Sequence, residues 1–122
     1  MDERTFTKQE ADTLLADLTQ RLVRIREARH VVFANADRVK DSAASNGGGK
    51  PGAAYWQALS TLRREVEAIG AEGVLLRDAD SGLVDFPAER DGEPVFLCWR
   101  LGEPAVEHWH SRDTGFAGRR RL

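Results

Sequence analysis

One stretch of the chain concentrates the residue types that bind metals or move protons: Asp85, Cys98, Glu103, Glu107, His108 and His110. Aspartate is disfavoured in a strand, so Asp85, between Val84 and Phe86, needs a specific partner. Backbone N–H groups or Arg100 would serve; so would a metal ion, or a reacting group for which Asp85 is the base. Cys98 packs as a small apolar residue or, as a thiolate beside a cation such as Arg100 or a histidine, binds metal or acts as a nucleophile. His108-Trp109-His110 puts two imidazoles on one face of a strand, a spacing that occurs in metal sites. Asp85, Cys98, His108, His110 and either Glu103 or Glu107 would supply a mixed site for zinc or iron. No zinc-finger spacing and no Ser/His/Asp constellation is legible, and a lone cysteine cannot cycle as a dithiol.

These residues lie where the pattern turns strand-like: Val74–Leu76, Leu83–Phe86, Val95–Arg100 and Ala105–His110. Asp78–Gly82, Asp91-Gly92 and Gly102-Glu103 are turn signals between them. Asp91-Gly92 predicts a type I′ hairpin in which Arg90 pairs with Glu93. Counting back pairs Phe86 with Leu97, Val84 with Trp99 and Asp85 with Cys98. One face then carries Val84, Phe86, Val95, Leu97 and Trp99, and the other Asp85, Phe96, Cys98 and Arg100. A two-residue Gly102-Glu103 turn would set Glu107 beside Cys98 and Trp109 beside Phe96. A slip of one residue would bring His108 and His110 to the polar face instead. Both registers stay open.

The preceding half reads as helical. Thr7-Lys8-Gln9-Glu10 is a capping box, with Phe6 and Ala11 placed for a hydrophobic staple. Leu15, Leu18, Leu22, Ile25, Val32, Ala36 and Val39 repeat at three and four residues, with Arg29 filling the gap. That is a coiled-coil-like seam, predicting a helix from Thr7 to Asp41. Arg29 either lays its stem on the seam and sends its head to water or pairs with an acid on the partner helix. Residues 42–52, with four glycines and a proline, form a loop that lacks P-loop spacing. Tyr55, Leu59, Leu62, Val66 and Ile69 mark a second, shorter helix ending at Gly70. The difference in length leaves part of the first seam for the sheet or a second protomer to cover, which is the reason to expect a homodimer.

At 122 residues one domain is expected: helical hairpin 6–70, β-meander 73–110 and C-terminal tail 111–122. Lys and Arg number 18 against 20 Asp and Glu, so net charge gives no general attraction to nucleic acid or anionic membrane. Arg119, Arg120 and Arg121 could touch phosphates, but no basic helix face or aromatic platform accompanies them. There is no signal-peptide pattern and no apolar run long enough to span a bilayer. A single cysteine suits a reducing compartment, so the cytoplasm is the expected location.

Phe6-Thr7 with Glu10-Ala11, Gly82–Pro87, Leu97–Glu103, Trp109-His110 and Gly115–Arg119 together resemble a bacterial family known only as domain of unknown function 2203. The likeness covers essentially the whole chain and is specific in the C-terminal half. It implies a small cytoplasmic protein, and no activity comes with it. Asp85, Cys98, Trp99, Glu103, Trp109, His110 and Gly118-Arg119 match the family motif. His108 does not, which favours His110 alone, and Glu103 over Glu107, as partners of Asp85 and Cys98. With Arg100 and Arg119 these make the candidate site, and Asp85, Cys98, Glu103 and His110 the candidate ligands of zinc or iron. The expected fold is α+β, a long antiparallel helical hairpin followed by a four-stranded antiparallel meander packed on it. The first expectation for function is a self-associating scaffold module. The alternative is a metal-binding protein or small metalloenzyme.

Overall fold

The computed structural model describes residues 4–36 and 52–122. Helix α1 spans Lys8–Ala34 and α2 spans Ala53–Ala71. They are followed by β1 (Leu75–Asp78), β2 (Leu83–Arg90), β3 (Glu93–Arg100), β4 (His108–Ser111) and β5 (Arg120–Arg121). The five strands form one antiparallel sheet in sequence order. The architecture is the expected α+β, with five strands rather than four: Arg120 and Arg121 add a short edge strand beside β4. The predicted loop, apart from Gly52, lies outside the described residues, as does the predicted continuation of α1 from residue 37 to Asp41.

The capping box forms as expected: Glu10 N–H donates to Thr7 Oγ1 at 3.1 Å and Thr7 N–H to Glu10 Oε1 at 2.9 Å. Phe6 is buried with its ring edge-on to Phe86, and its N–H donates to the Pro87 carbonyl at 2.7 Å. The chain is thus tied to the sheet before the helix begins.

Ala11, Leu18, Leu22, Ile25 and Ala28 are the buried positions of α1. All but Ala28 share one core with Ile69 of α2 and the sheet residues Val84, Phe86, Ala88, Val95, Leu97 and Trp99. The sheet thus helps α2 to bury the Leu18, Leu22 and Ile25 part of the seam, while Ala36 at its far end is exposed. On α2 the buried stripe is Ala58, Glu65 and Ile69, one residue away from the predicted Leu59 and Val66. Glu65 explains the shift: its carboxylate accepts from Arg21 at 2.8 Å and Arg24 at 3.4 Å, so an ion cluster occupies the interface where an aliphatic side chain was expected. Arg29 does not use this acid. It sits beside Ala28 at the seam's edge and donates to Asp80, on the β1–β2 turn, at 3.2 Å.

The β2–β3 register matches the count from the turn, with Val84 opposite Trp99 and Asp85 opposite Cys98. Asp91 and Gly92 both have positive φ, 53° and 79°, as a type I′ turn requires. Gly82, at φ 70°, has no room for a side chain, since a Cβ there would lie 2.6 Å from that of Leu101. The two-residue turn at Gly102-Glu103 is not what joins β3 to β4. Cys98 pairs with His108 and Phe96 with His110, the register with the histidines on the polar face. Pro104 has no N–H for a ladder. Val106, fully buried, instead donates its N–H to Asp12 Oδ1 of α1 at 2.8 Å. The chain is drawn into the core here before it can pair.

Candidate metal centre

The face of the sheet turned away from the helices carries Asp85 on β2, Phe96 and Cys98 on β3, and His108 and His110 on β4. The segment after β4, containing a short 3-10 turn at Phe116–Gly118, lies across it. Asp85, Cys98 and His110 are 3%, 0% and 3% exposed. One ligand atom from each lies within 4.8 Å of the others.

Each of the three has an outer partner. His110 Nδ1 is 2.8 Å from the Ser111 carbonyl and Nε2 is 3.0 Å from Asp85 Oδ1. A carbonyl only accepts, so Nδ1 carries a proton. The contact on the other side joins imidazole and carboxylate directly. The second carboxylate oxygen, Oδ2, accepts from Arg77 Nε at 2.9 Å. The Arg119 guanidinium lies beside Cys98 and favours its thiolate. Burial pushes the Cys98 thiol up to about 11, the Asp85 charge adds to the rise, and Arg119 opposes it. Both ring nitrogens of His110 are engaged, so in this arrangement neither can take a proton from Cys98, as a Cys–His nucleophile would require.

The other predicted residues have different employment. Glu103 is not among the converging atoms. Arg119 grips its carboxylate with both Nη nitrogens, at 3.0 and 2.6 Å, and the Arg100 N–H donates to Oε1 at 2.8 Å. Burial would raise the Glu103 pKa, but these hydrogen bonds outweigh it and hold the carboxyl below its ordinary value. The Glu103 carbonyl accepts from Trp99 Nε1 at 3.0 Å, so Trp99, buried among the core side chains, pins the loop. Glu103 is thus a clip that holds Arg119 over Cys98. Arg100 is exposed and packs on Phe116, and it is Arg77 that satisfies Asp85. Trp109 lies opposite Leu97, with Arg90 and Arg120 within 4.8 and 5.8 Å of its ring. His108 faces Cys98 across the ladder, yet its Nδ1 is 4.0 Å from Glu103 and outside the trio. Glu107 pairs with Arg121.

Arg77 was the partner that could not be picked out from the sequence. Its signal was present: two residues after Leu75, it shares the face of Asp85 once the β1–β2 turn pairs Leu75 with Asp85. Next to the trio is a cavity of about 200 Å³ lined by Arg77, Asp85, His110, Arg112, Phe96 and Phe116, among others.

No helix among the described residues is long and apolar enough to cross a membrane. Comparison with curated proteins and with solved structures finds no match to the chain. A family model described as an uncharacterized conserved protein, DUF2203, matches residues 4–122, and on that span of nearly the entire chain the protein belongs to this family.

Proposed function

We propose that this protein binds a divalent metal ion, zinc or iron, through Asp85 Oδ, Cys98 Sγ and His110 Nε2. The observation that carries the reading is the buried convergence of these three donors within 4.8 Å, with His110 Nδ1 already committed to a backbone carbonyl. A metal-bound histidine usually donates its other N–H in this way, which fixes the tautomer and aims the remaining nitrogen. A divalent ion would replace the direct contact between His110 Nε2 and Asp85. Together with the Asp85 carboxylate and a Cys98 thiolate it makes a neutral unit, so Arg77 and Arg119 act as outer partners of the ligand atoms. A mixed N, O and S donor set suits zinc or iron rather than magnesium or calcium. Three protein ligands leave one position of a tetrahedral ion open, the arrangement of a catalytic ion, and a small metal-dependent enzyme is the activity class this favours.

The test is elemental analysis of untagged protein purified without chelator, followed by titration of stripped protein with Zn²⁺, Fe²⁺ and Co²⁺. One ion per chain is expected, with a thiolate-to-cobalt absorption band that vanishes in Cys98→Ser. Titrations that show no uptake, or uptake unchanged in Cys98→Ser and His110→Ala, would sink the reading.

A second reading, self-association, is favoured by an outward stripe on α2. Trp56 is 58% exposed and Val66 40%, with half-buried Leu59 between them, three residues from the first and seven from the second, and Phe33 of α1 is 61% exposed. The expected homodimer would use this outer face, because Leu18, Leu22 and Ile25 of the α1 seam are already buried within the chain. Light scattering at high concentration tests it: a dimer that Trp56→Glu dissociates supports it, and a strict monomer removes it.

A further inference from the structure

We propose that the segment from Thr114 to Arg119 is a movable cover over Asp85, Cys98 and His110, latched by the Glu103–Arg119 ion pair, and that its opening is the route by which a metal ion reaches them. Two observations carry this when set side by side. Beneath the segment, Asp85, Cys98 and His110 are almost wholly buried. In the segment itself residues 113–118 are exposed, and none of residues 111–122 is buried. Phe96 and Cys98, on the same face of the sheet, are buried yet lie outside the core shared with the helices. This face is shielded instead by the chain that crosses it after β4. Thr114, Gly115 and Phe116 wall the cavity beside Asp85 and His110, and the Arg119 guanidinium lies beside Cys98.

The fastenings are few and polar. Arg119 Nη1 and Nη2 donate to the two Glu103 oxygens at 3.0 and 2.6 Å, and both side chains are largely out of water. The guanidinium carbons of Arg100 and Arg119 lie 5.0 and 4.3 Å from the Phe116 ring centroid. Beyond the segment, β5 pairs with β4 over two residues only. A stretch that sends no side chain into the core and is held mainly by polar contacts belongs to the low end of local stability. It is also compact enough to move as one piece. The Gly118 N–H donates to the Gly115 carbonyl at 2.9 Å, and a Cβ on Gly118 would lie 2.7 Å from that of Thr114.

A buried donor set needs an entry path, and a segment of this kind both provides one and excludes water when closed. Glu103 is then a positioning residue: it touches none of the three donors and acts through Arg119. The ion rests on the metal reading. The cover does not, because the buried trio and the latch are features of the chain itself.

Labelling of Cys98 with iodoacetamide in stripped protein, followed by mass spectrometry, tests the cover. Glu103→Gln keeps an acceptor for the Arg100 N–H and weakens the grip on Arg119. Gly118→Ala pushes the turn away from Thr114 with no change of charge. Both variants are expected to label without denaturant, about tenfold faster than wild type or more, with hydrogen exchange raised in residues 114–119 and unchanged in β2 and β3. Arg21→Met, which weakens the helical hairpin instead, should label like wild type, and urea unfolding confirms that each variant is folded. Labelling no faster in either cover variant than in wild type overturns the proposal. So does labelling that rises equally in Arg21→Met, since the route would then be global unfolding. With Co²⁺ and its thiolate band as the signal, both cover variants should also take up and release the ion faster than wild type. Cobalt uptake at the wild-type rate in both overturns the cover as the route and leaves the metal reading intact. Conversely, the expected labelling in protein that takes up neither cobalt nor zinc supports the cover over Cys98 and removes the metal.

Discussion

His110 Nε2 lies 3.0 Å from Asp85 Oδ1, although the two residues are 25 positions apart and on strands that do not pair directly. β3 stands between them, and the imidazole reaches across Phe96 and Cys98 to meet the carboxylate. His110→Ala therefore removes a buried hydrogen bond and strands a carboxylate. We expect a loss of about 3 kcal/mol in urea unfolding. Asp85→Asn keeps the shape and an acceptor, and should cost less than His110→Ala.

The Glu65 cluster between the helices gives a second expectation. Its side chain is only 5% exposed and Arg21 and Arg24 both reach it. Glu65→Leu replaces an ion by an aliphatic group at a helix–helix contact and should change stability by less than about 1 kcal/mol. Arg21→Met leaves the buried carboxylate short of its closer partner and should cost about 2 kcal/mol. A double-mutant cycle on the two, followed by chemical denaturation, measures the coupling.

Asp12 joins α1 to the β3–β4 connection. Burial raises its pKa, but hydrogen bonds from Lys8 and from the Val106 N–H outweigh this and leave it below the ordinary 3.8. A depressed carboxyl contributes stability that is fully present above the unfolded pKa and is lost as the pH falls through the folded one. Wild type should therefore lose stability below about pH 4 more steeply than Asp12→Asn. At neutral pH Asp12→Ala should be the weaker protein by about 1 kcal/mol. Thermal melts of the variants across the acid range check both statements.

Cys98, fully buried and with its thiol raised to about 11, should be inert in the native state. At about pH 8, just below the pKa of a free thiol, alkylating reagents should modify it only after denaturant is added. Mass spectrometry of chelator-treated protein with and without guanidinium reads this directly. Rapid labelling of the native protein would contradict the packing of β2, β3 and the segment over them.

The hairpin and one half of the site were legible because they rest on local rules. A capping box, an Asp-Gly turn and the two-residue period of a strand are short-range, and together they place Asp85 opposite Cys98. The helical seam was legible in spacing but not in detail. Val66 and Glu65 are adjacent, and only contact with Arg21 and Arg24 makes the charged residue the buried one.

What the sequence alone determined about this protein is therefore the α+β order, the helix start, the β2–β3 register and the residues of β2 and β3 that share the polar face. Tertiary structure alone decided that His110 joins Asp85, that Arg77 rather than Arg100 completes the carboxylate, and that Glu103 serves Arg119. The reason is the long connection after β3. Its register is set by burial of Val106 and by an Asp12 contact 94 residues away, not by turn chemistry. A shift of one residue there exchanges the two faces of β4, so the chemistry of the site depends on a packing event outside it.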